Sequence, residues 1–255
     1  STPFAFGENP TVSYPYGYFG GGKTPSNVST VDRIDYSNDT PTAVAKGSLS
    51  VARSSGGVTS SPSHGYFCGG QPGPLSSIER VDYSNDSIST SVRGPLSGAR
   101  NYVVAAGNQN FGWVVGGYDP SPAVITTTDR INYANDTATA SPRGPISVAS
   151  GIKGGVSNQY YGYFAGGYAG GSPGAITTVD RLDFSNDTTA AAAKGPLSVA
   201  SYSLAGTGNN DYGYFGGGYF TSSISTVNRV DYSNDTATAS VKGALSLTRQ
   251  CLGAT

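Results

Sequence analysis

The sequence has no Met, one His and two Cys among its 255 residues. A single histidine excludes metal centres that need two imidazole ligands. Two cysteines, Cys68 and Cys251, make no disulfide framework, and we expect both to be buried as small apolar side chains. A chain that starts at Ser1 and contains no Met is expected to be a processed or partial product.

Charge is also scarce. Charged residues make up 12% of the chain and the formal net charge is −1, so there is no basic face for nucleic acid and no polybasic membrane anchor. No stretch approaches the roughly 20 apolar residues of a membrane span. We therefore expect neither nucleic acid nor a membrane as a partner. Low charge with abundant Gly, Ser, Thr, Tyr and Asn is typical of secreted or virion-surface β proteins, which predicts an extracellular or virion-surface location.

The sequence does contain one motif that is repeated five times. An aromatic strand ending in glycines is followed by an Arg-containing strand and a Ser-Asn-Asp turn, which becomes Ala-Asn-Asp in the third copy. The copies begin at Gly17, Gly65, Gly112, Gly162 and Gly213, so they are spaced by 48, 47, 50 and 51 residues. A period near 50 residues that is built from strand-like pieces predicts propeller blades.

Each repeat reads as four antiparallel strands. In the fifth copy the strands cover residues 212–215, 224–232 and 236–241, and the Leu-Ser segment at 245–248 leads into a fourth. We predict an all-β, five-bladed propeller over residues 16–255. Its C-terminal strand, residues 248–255, completes the first blade and closes the ring, which removes open sheet edges. Residues 1–15 lie outside the pattern and are predicted to form an extension.

The pattern resembles kelch repeats, in which a hydrophobic strand ends in Gly-Gly and is followed by an aromatic residue, a small turn and an Arg strand. Every copy has the glycine pair, and every copy has the aromatic residue: Tyr36, Tyr83, Tyr133, Phe184 and Tyr232. The kelch tryptophan near the fourth strand is missing from all copies, so the chain resembles a divergent kelch-like branch. Its Tyr-Ser-Asn-Asp-Thr and Gly-Pro-Leu-Ser motifs resemble those of repeat-rich tail-fibre and surface proteins of marine viruses and microbes.

The repeated polar residues invite catalytic interpretations. The kelch resemblance includes a copper radical oxidase, but that chemistry needs two histidines, and His64 alone is expected to be a solvated loop residue. A glycosidase would use paired carboxylates. However, the acids recur at one blade position and so favour a scaffold role: Asp35, Asp82, Asp183 and Asp231, with Asn132 in the third copy. We predict no enzyme, no cofactor and no metal.

Two further repeated sets are also assigned to the scaffold. The arginines are predicted to be inter-strand or inter-blade hydrogen-bond partners: Arg33, Arg80, Arg130, Arg181 and Arg229. The segment from Asp35 to Asp39 is similar to a calcium loop but lacks its terminal Glu, so a hairpin turn is favoured. The same turns carry Asn-x-Ser/Thr, which is a glycan acceptor only in a eukaryotic secretory protein.

The copies differ most in the loops after the glycines, where a binding site would be built. Three of these loops begin with an aromatic residue, giving Tyr118, Tyr168 and Tyr219 with Phe220. On the same face we expect the inner strands to start with Arg53, Arg100 and Arg249, whereas Ser150 and Ser201 take this place in the other copies. Tyrosine faces and Arg donors suit sugars and acidic groups. The alternative is that the tyrosines only cap the loops.

Two classes of function remain open. One is a non-enzymatic recognition or adhesion propeller that binds a surface glycan or other polymer. The other is a structural module that packs against copies of itself, or against other subunits, in a larger particle or filament. A glycan-active enzyme is a distant third.

Overall fold

The computed structural model describes residues 15–252. These residues form 21 β-strands and two short 3₁₀ turns, Tyr133–Asn135 and Tyr232–Asn234, with no α-helix among them. The strands build five blades arranged as a propeller, so the all-β fold class is confirmed. Within residues 15–252, no helix has the length and apolar character needed to cross a membrane.

Blades 2 to 5 are four-stranded antiparallel sheets whose strands follow one another in chain order. Blade 2 contains β6 (Gly57–Ser60), β7 (His64–Cys68), β8 (Ile78–Asp82) and β9 (Ser91–Arg93). Blade 3 contains β10 (Val104–Gly107), β11 (Phe111–Val115), β12 (Thr128–Asn132) and β13 (Ser141–Arg143). Blade 4 contains β14 (Gly154–Ser157), β15 (Tyr161–Ala165), β16 (Val179–Asp183) and β17 (Ala192–Ala193). Blade 5 contains β18 (Ala205–Gly208), β19 (Tyr212–Gly216), β20 (Val227–Asp231) and β21 (Ser240–Lys242). The inner strands β6, β10, β14 and β18 contact each other in this order.

Blade 1 has three described strands, β1 (Tyr16–Gly20), β4 (Val31–Asp35) and β5 (Val44–Ala45). Between β1 and β4 lies a separate hairpin, β2 (Lys23–Thr24) with β3 (Ser26–Asn27). The predicted closing strand does not begin at Thr248, because residues 248–252 are irregular. The rest of that predicted strand, residues 253–255, and residues 1–14 of the predicted extension lie outside the described residues.

The glycine pairs let each blade approach the loop that leads to the next. Gly116 and Gly117 have φ of +62° and +100°, a backbone conformation that glycine adopts without a Cβ penalty. A Cβ on Gly116 would lie 2.3 Å from the Ser150 carbonyl oxygen, while the Gly117 N–H donates to that same oxygen at 3.0 Å. The pair therefore ends one strand and anchors the following loop.

The aromatic core lies between blades. In blades 1 to 4 the glycine-strand aromatic residue stacks on the aromatic residue that follows the Arg strand of the next blade. The ring centroids are 5.0 Å apart in Tyr18–Tyr83, 4.8 Å in Tyr66–Tyr133, 3.9 Å in Trp113–Phe184 and 4.6 Å in Tyr163–Tyr232. Stacked pairs of this kind contribute about 0.5–1.5 kcal/mol beyond the area that they bury.

Beside each stack is an inter-blade carboxylate site. The Asp of the Asn-Asp turn accepts hydrogen bonds from an aromatic residue and an arginine of the preceding blade and pairs with a second basic residue. Asp235, for example, accepts from Tyr163 at 3.0 Å and Arg181 at 2.7 Å and lies 3.2 Å from Lys194. The acceptors of the four sites are Asp86, Asp136, Asp187 and Asp235. The inter-blade role is thus confirmed for Arg33, Arg80, Arg130 and Arg181.

The turns behave as predicted, whereas two single residues do not. Asp35 accepts from the Ser37 N–H at 2.9 Å, and its counterparts in the other blades make the same turn bond. His64 is the first residue of β7 and half-buried, not a solvated loop residue, because its position pairs with Asp82 of β8. Cys68 is buried as expected, but Cys251 is exposed, since it lies in an irregular segment; both are free.

Candidate functional site

The loops that follow the last strand of each blade form a rim around the propeller axis. One residue in each loop has a left-handed backbone, with φ between 52° and 59°: Ser55, Tyr102, Ile152, Ser203 and Cys251. Within this set of five residues, the N–H groups of the last four each donate to the carbonyl of the residue before it in the set, at 2.7–3.0 Å. The rim is therefore a ladder of main-chain bonds that joins all five blades on one face.

Five tyrosines lie along this rim. Tyr118, Tyr168 and Tyr219, the residues that follow the glycines, pair through their backbones with Asn101, Gly151 and Tyr202. This pairing brings the three predicted tyrosines next to two that sequence reasoning missed, Tyr102 and Tyr202. We call the set Tyr102, Tyr118, Tyr168, Tyr202 and Tyr219 the tyrosine arc. All five are half-buried.

Ring contacts connect the members of the tyrosine arc. The ring centroids of Tyr102 and Tyr118 are 5.7 Å apart, and Tyr202 lies 5.4 Å from both Tyr168 and Tyr219. Gly151 permits the close approach of Tyr118, because a Cβ on this residue would lie 2.9 Å from the Tyr118 ring. Gly151 also pairs through its backbone with Tyr168, so the two groups of rings, Tyr102 with Tyr118 and Tyr168 with Tyr202 and Tyr219, lie next to each other along the rim.

Two hydroxyl groups of the arc have a pKa above the ordinary tyrosine value. Burial, followed by the neighbouring tyrosines, raises the pKa of Tyr118 and of Tyr202. The Tyr168 hydroxyl donates to the Gly171 carbonyl at 2.6 Å. The nearby Asp119 carboxylate is held within its own loop by Ser121. The arc therefore offers neutral aromatic faces and hydroxyl groups.

Two of the predicted binding arginines do not reach this surface. Arg53 and Arg100 are buried, with 2% and 1% exposure. Arg53 bonds to Glu79 and Arg100 bonds to Asp129, the latter at 2.6 Å. Both arginines precede the inner strands by several residues, and their side chains donate to groups within the blade that follows. They bind carboxylates of the scaffold and are unavailable to an outside ligand.

Where Ser replaces Arg at this position of the repeat, a second change in the protein interior keeps the buried charges balanced. Where Ser150 replaces the arginine, Lys153 takes its role: its Nζ lies 3.8 Å from Asp180 and donates to the Gly166 carbonyl at 2.8 Å. Where Ser201 replaces the arginine, the buried carboxylate is replaced by Asn228. At this position of the repeat each buried carboxylate, Glu79, Asp129 or Asp180, thus has one buried cation, which explains the alternation between Arg and Ser without a ligand.

The Lys153 amine should make stability depend on pH. Burial lowers its pKa to about 8, although the Asp180 carboxylate acts in the opposite direction. The folded state then holds this proton less tightly than the unfolded state, so stability rises as pH increases from about 8 toward the ordinary lysine value. Relative to the double variant Lys153→Met with Asp180→Leu, we expect a gain of roughly 1.4 kcal/mol per pH unit in this window. Urea unfolding at several pH values measures it, and parallel pH profiles would contradict it.

Arg249 and Phe220 lie at the end of the arc. Arg249 is exposed, and its carbonyl accepts from the Gly218 N–H at 2.9 Å, next to Tyr219. Phe220 is half-buried. Ligand binding by these two residues and by Tyr118, Tyr168 and Tyr219 stays a prediction.

A cavity of about 830 Å³ follows the propeller axis. The inner strands line it with Val58, Ala105 and Val156, and β1 contributes Tyr18 and Phe19. No charged side chain is among its lining residues. Because β1 has no inner neighbour among the described strands, the cavity includes the space beside its free edge. Within residues 15–252, no group of three or more His, Cys, Asp or Glu could hold a metal ion.

Comparison with known proteins identifies the fold and not a family. No family model matches the chain, and no curated protein matches it. One similar solved structure is that of YjhT, at 13% sequence identity and a TM-score of 0.78, covering 95% of this chain and 84% of that chain. This similarity shows the propeller fold. The kelch-like and viral resemblances stay predictions.

Proposed function

We propose that the protein is a non-enzymatic recognition propeller that binds a neutral, hydroxyl-rich polymer, in the first place a glycan, on the tyrosine arc. The observation that carries this proposal is the arc itself: five half-buried tyrosines on one face, in a ring-contact pair and a ring-contact triplet. As a recognition module it would act outside the cell or on a virion surface.

The chemistry of the arc favours sugars over charged ligands. Aromatic faces pack against the apolar C–H faces of sugar rings, and protonated hydroxyls donate to or accept from sugar hydroxyls. The burial of Arg53 and Arg100 removes two of the three predicted cations, so acidic groups are a poorer fit than the sequence indicated. No arc member is a carboxylate or imidazole that could act as a general acid or base, so we propose binding without turnover.

A glycan array that contains neutral and acidic sugars tests the proposal, followed by calorimetry with the best binder. We expect neutral sugars to bind. Replacing Tyr202 with Ala should weaken binding by about tenfold, because Tyr202 contacts two other rings and loss of a packed aromatic face costs on the order of 1 kcal/mol.

The matched control is Tyr160→Ala. Tyr160 is 66% exposed in the turn between β14 and β15, at the opposite end of β14 from the rim. We expect this variant to bind like the wild type. Absence of binding across the array, or equal losses in the two variants, would reject the arc as a glycan site. Turnover of any glycan would show that the protein is an enzyme.

A further inference from the structure

The four formed interfaces define two kinds of blade face. The donor face carries the glycine-strand aromatic residue, the Arg, the following basic residue and a glycine N–H; in blade 4 these are Tyr163, Arg181, Lys194 and Gly195. The acceptor face carries the Asp of the turn and the stacked aromatic residue. Each interface joins the donor face of one blade to the acceptor face of the next.

Blade 5 has a donor face without an acceptor among the described residues. Tyr214, Arg229 and Lys242 occupy the donor positions, yet no carboxylate of residues 15–252 pairs with Arg229 or Lys242. Arg229 lies over the Tyr212 ring, 4.3 Å from its centroid, as Arg33, Arg130 and Arg181 lie over the corresponding rings of their blades; what it lacks is the carboxylate that those three bind. A Cβ on Gly243 would meet nothing within 4 Å, whereas at Gly47, Gly94, Gly144 and Gly195 it would lie 1.7–1.9 Å from the next blade.

Blade 1 presents the complementary acceptor face, also without a partner in the described part of the chain. Asp39 is exposed, although its counterparts in blades 2 to 5 are 5–7% exposed. Tyr36, which occupies the stacking position, is 37% exposed. The two halves of one interface thus exist on the same molecule and do not meet.

This open seam is wider than one blade-to-blade step. The same contacts recur in all four formed interfaces. If blade 1 followed blade 5 at the same spacing, Asp39 would contact Arg229 and Lys242, but these contacts are not formed. For a seam that holds one blade, a second complete copy of the chain is a poorer fit, because its blade 2 would overlap blade 1 of the first copy.

We propose that the seam between blade 5 and blade 1 accepts one further blade of this same repeat. That blade would present an Asn-Asp turn carboxylate to Tyr214, Arg229 and Lys242, and its own aromatic, Arg and Lys side chains to Tyr36 and Asp39. The seam is therefore an interaction surface for a unit of about 50 residues with this motif. The proposal is independent of the tyrosine arc and of any ligand.

The test compares the full chain with a variant in which a copy of residues 205–252 is appended after Leu252. The readout is hydrogen exchange of the Gly243 amide, whose counterparts donate to the Asp carbonyl of the next blade at 2.8–2.9 Å. We expect fast exchange in the unextended monomer and at least about tenfold slower exchange in the extended chain. The matched control carries Asp235→Asn in the appended copy only, and should recover less protection.

Three results would overturn the proposal. Protection of Gly243 in the unextended monomer would mean that blade 5 closes directly on blade 1. Protection that rises with protein concentration, together with a larger mass by light scattering, would mean that a second copy fills the seam. No added protection in the extended chain, or equal protection in the Asp235→Asn control, would mean that the seam does not recognise the repeat.

Discussion

Replacing Arg100 with Met is expected to lower the free energy of unfolding by about 3–5 kcal/mol, because removing one partner of a buried ion pair leaves the other charge uncompensated. Asp129 is fully buried, and Arg100 is its only cationic partner among the ion pairs of residues 15–252. Arg100 also donates to the carbonyls of Thr127 and Val114, at 3.0 and 3.2 Å. Urea unfolding monitored by tryptophan fluorescence measures the loss, since Trp113 is buried in the same blade.

Arg249 provides a matched control for this variant. It occupies the same position of the repeat but is exposed, so Arg249→Met should change stability by less than about 0.5 kcal/mol. The double variant Arg100→Met with Asp129→Leu should recover much of the loss, because an apolar pair of similar volume can replace a buried ion pair. If Arg100→Met were as mild as Arg249→Met, the arginine would not be the buried partner of Asp129.

Adding one methyl group at Gly144 is expected to be similarly damaging. A Cβ at this position would lie 1.7 Å from the Thr189 carbonyl oxygen in the next blade. Because the obstacle is backbone, it cannot rotate away, and the blades must move apart. We expect Gly144→Ala to cost about 3 kcal/mol or more, at the upper end of overpacking effects, and to lower the thermal midpoint in calorimetry.

Gly243 is the corresponding glycine of blade 5. It faces open space, so Gly243→Ala should be tolerated, with a change within about 0.5 kcal/mol. A large loss at Gly243 would show that blade 5 is packed against another blade. A mild effect at Gly144 would show that its inter-blade contact is looser than the structure has it.

The repeat made the fold predictable. Five copies of a strand-like phrase indicated five blades, and glycines such as Gly116 and Gly117 marked the strand ends because few other residues adopt their backbone geometry. The Arg prediction also succeeded for four of the five arginines, since one residue recurring in every blade, such as Arg181, usually serves the blade; Arg229 has no such partner among residues 15–252. Their acceptors, such as Asp235, were assigned only to turns. Each accepts hydrogen bonds across a blade boundary from residues 53 to 74 positions away, and local pattern reasoning does not see such pairs.

The candidate site was harder to predict. Tyr118, Tyr168 and Tyr219 stood out because they follow the glycines, but Tyr102 and Tyr202 join them only through backbone pairing between loops of different repeats. The Arg/Ser difference pointed to function, yet it reflects charge balance in the interior: Lys153 substitutes for the arginine and Asn228 for the acid. A difference between repeats can therefore be a scaffold change that a second residue compensates, and not the sign of a binding site. Only the position of the interacting residue in the structure distinguishes these two explanations.

The central claim is that the constant residues of the repeat build four equal interfaces and leave one seam open between blade 5 and blade 1. Native-state hydrogen exchange by NMR on the unmodified monomer tests it most directly, through the amides of Gly47, Gly94, Gly144, Gly195 and Gly243. We predict strong protection at the first four, each of which donates to the next blade at 2.8–2.9 Å, and rapid exchange at Gly243. Equal protection at all five would contradict the claim and show a closed ring.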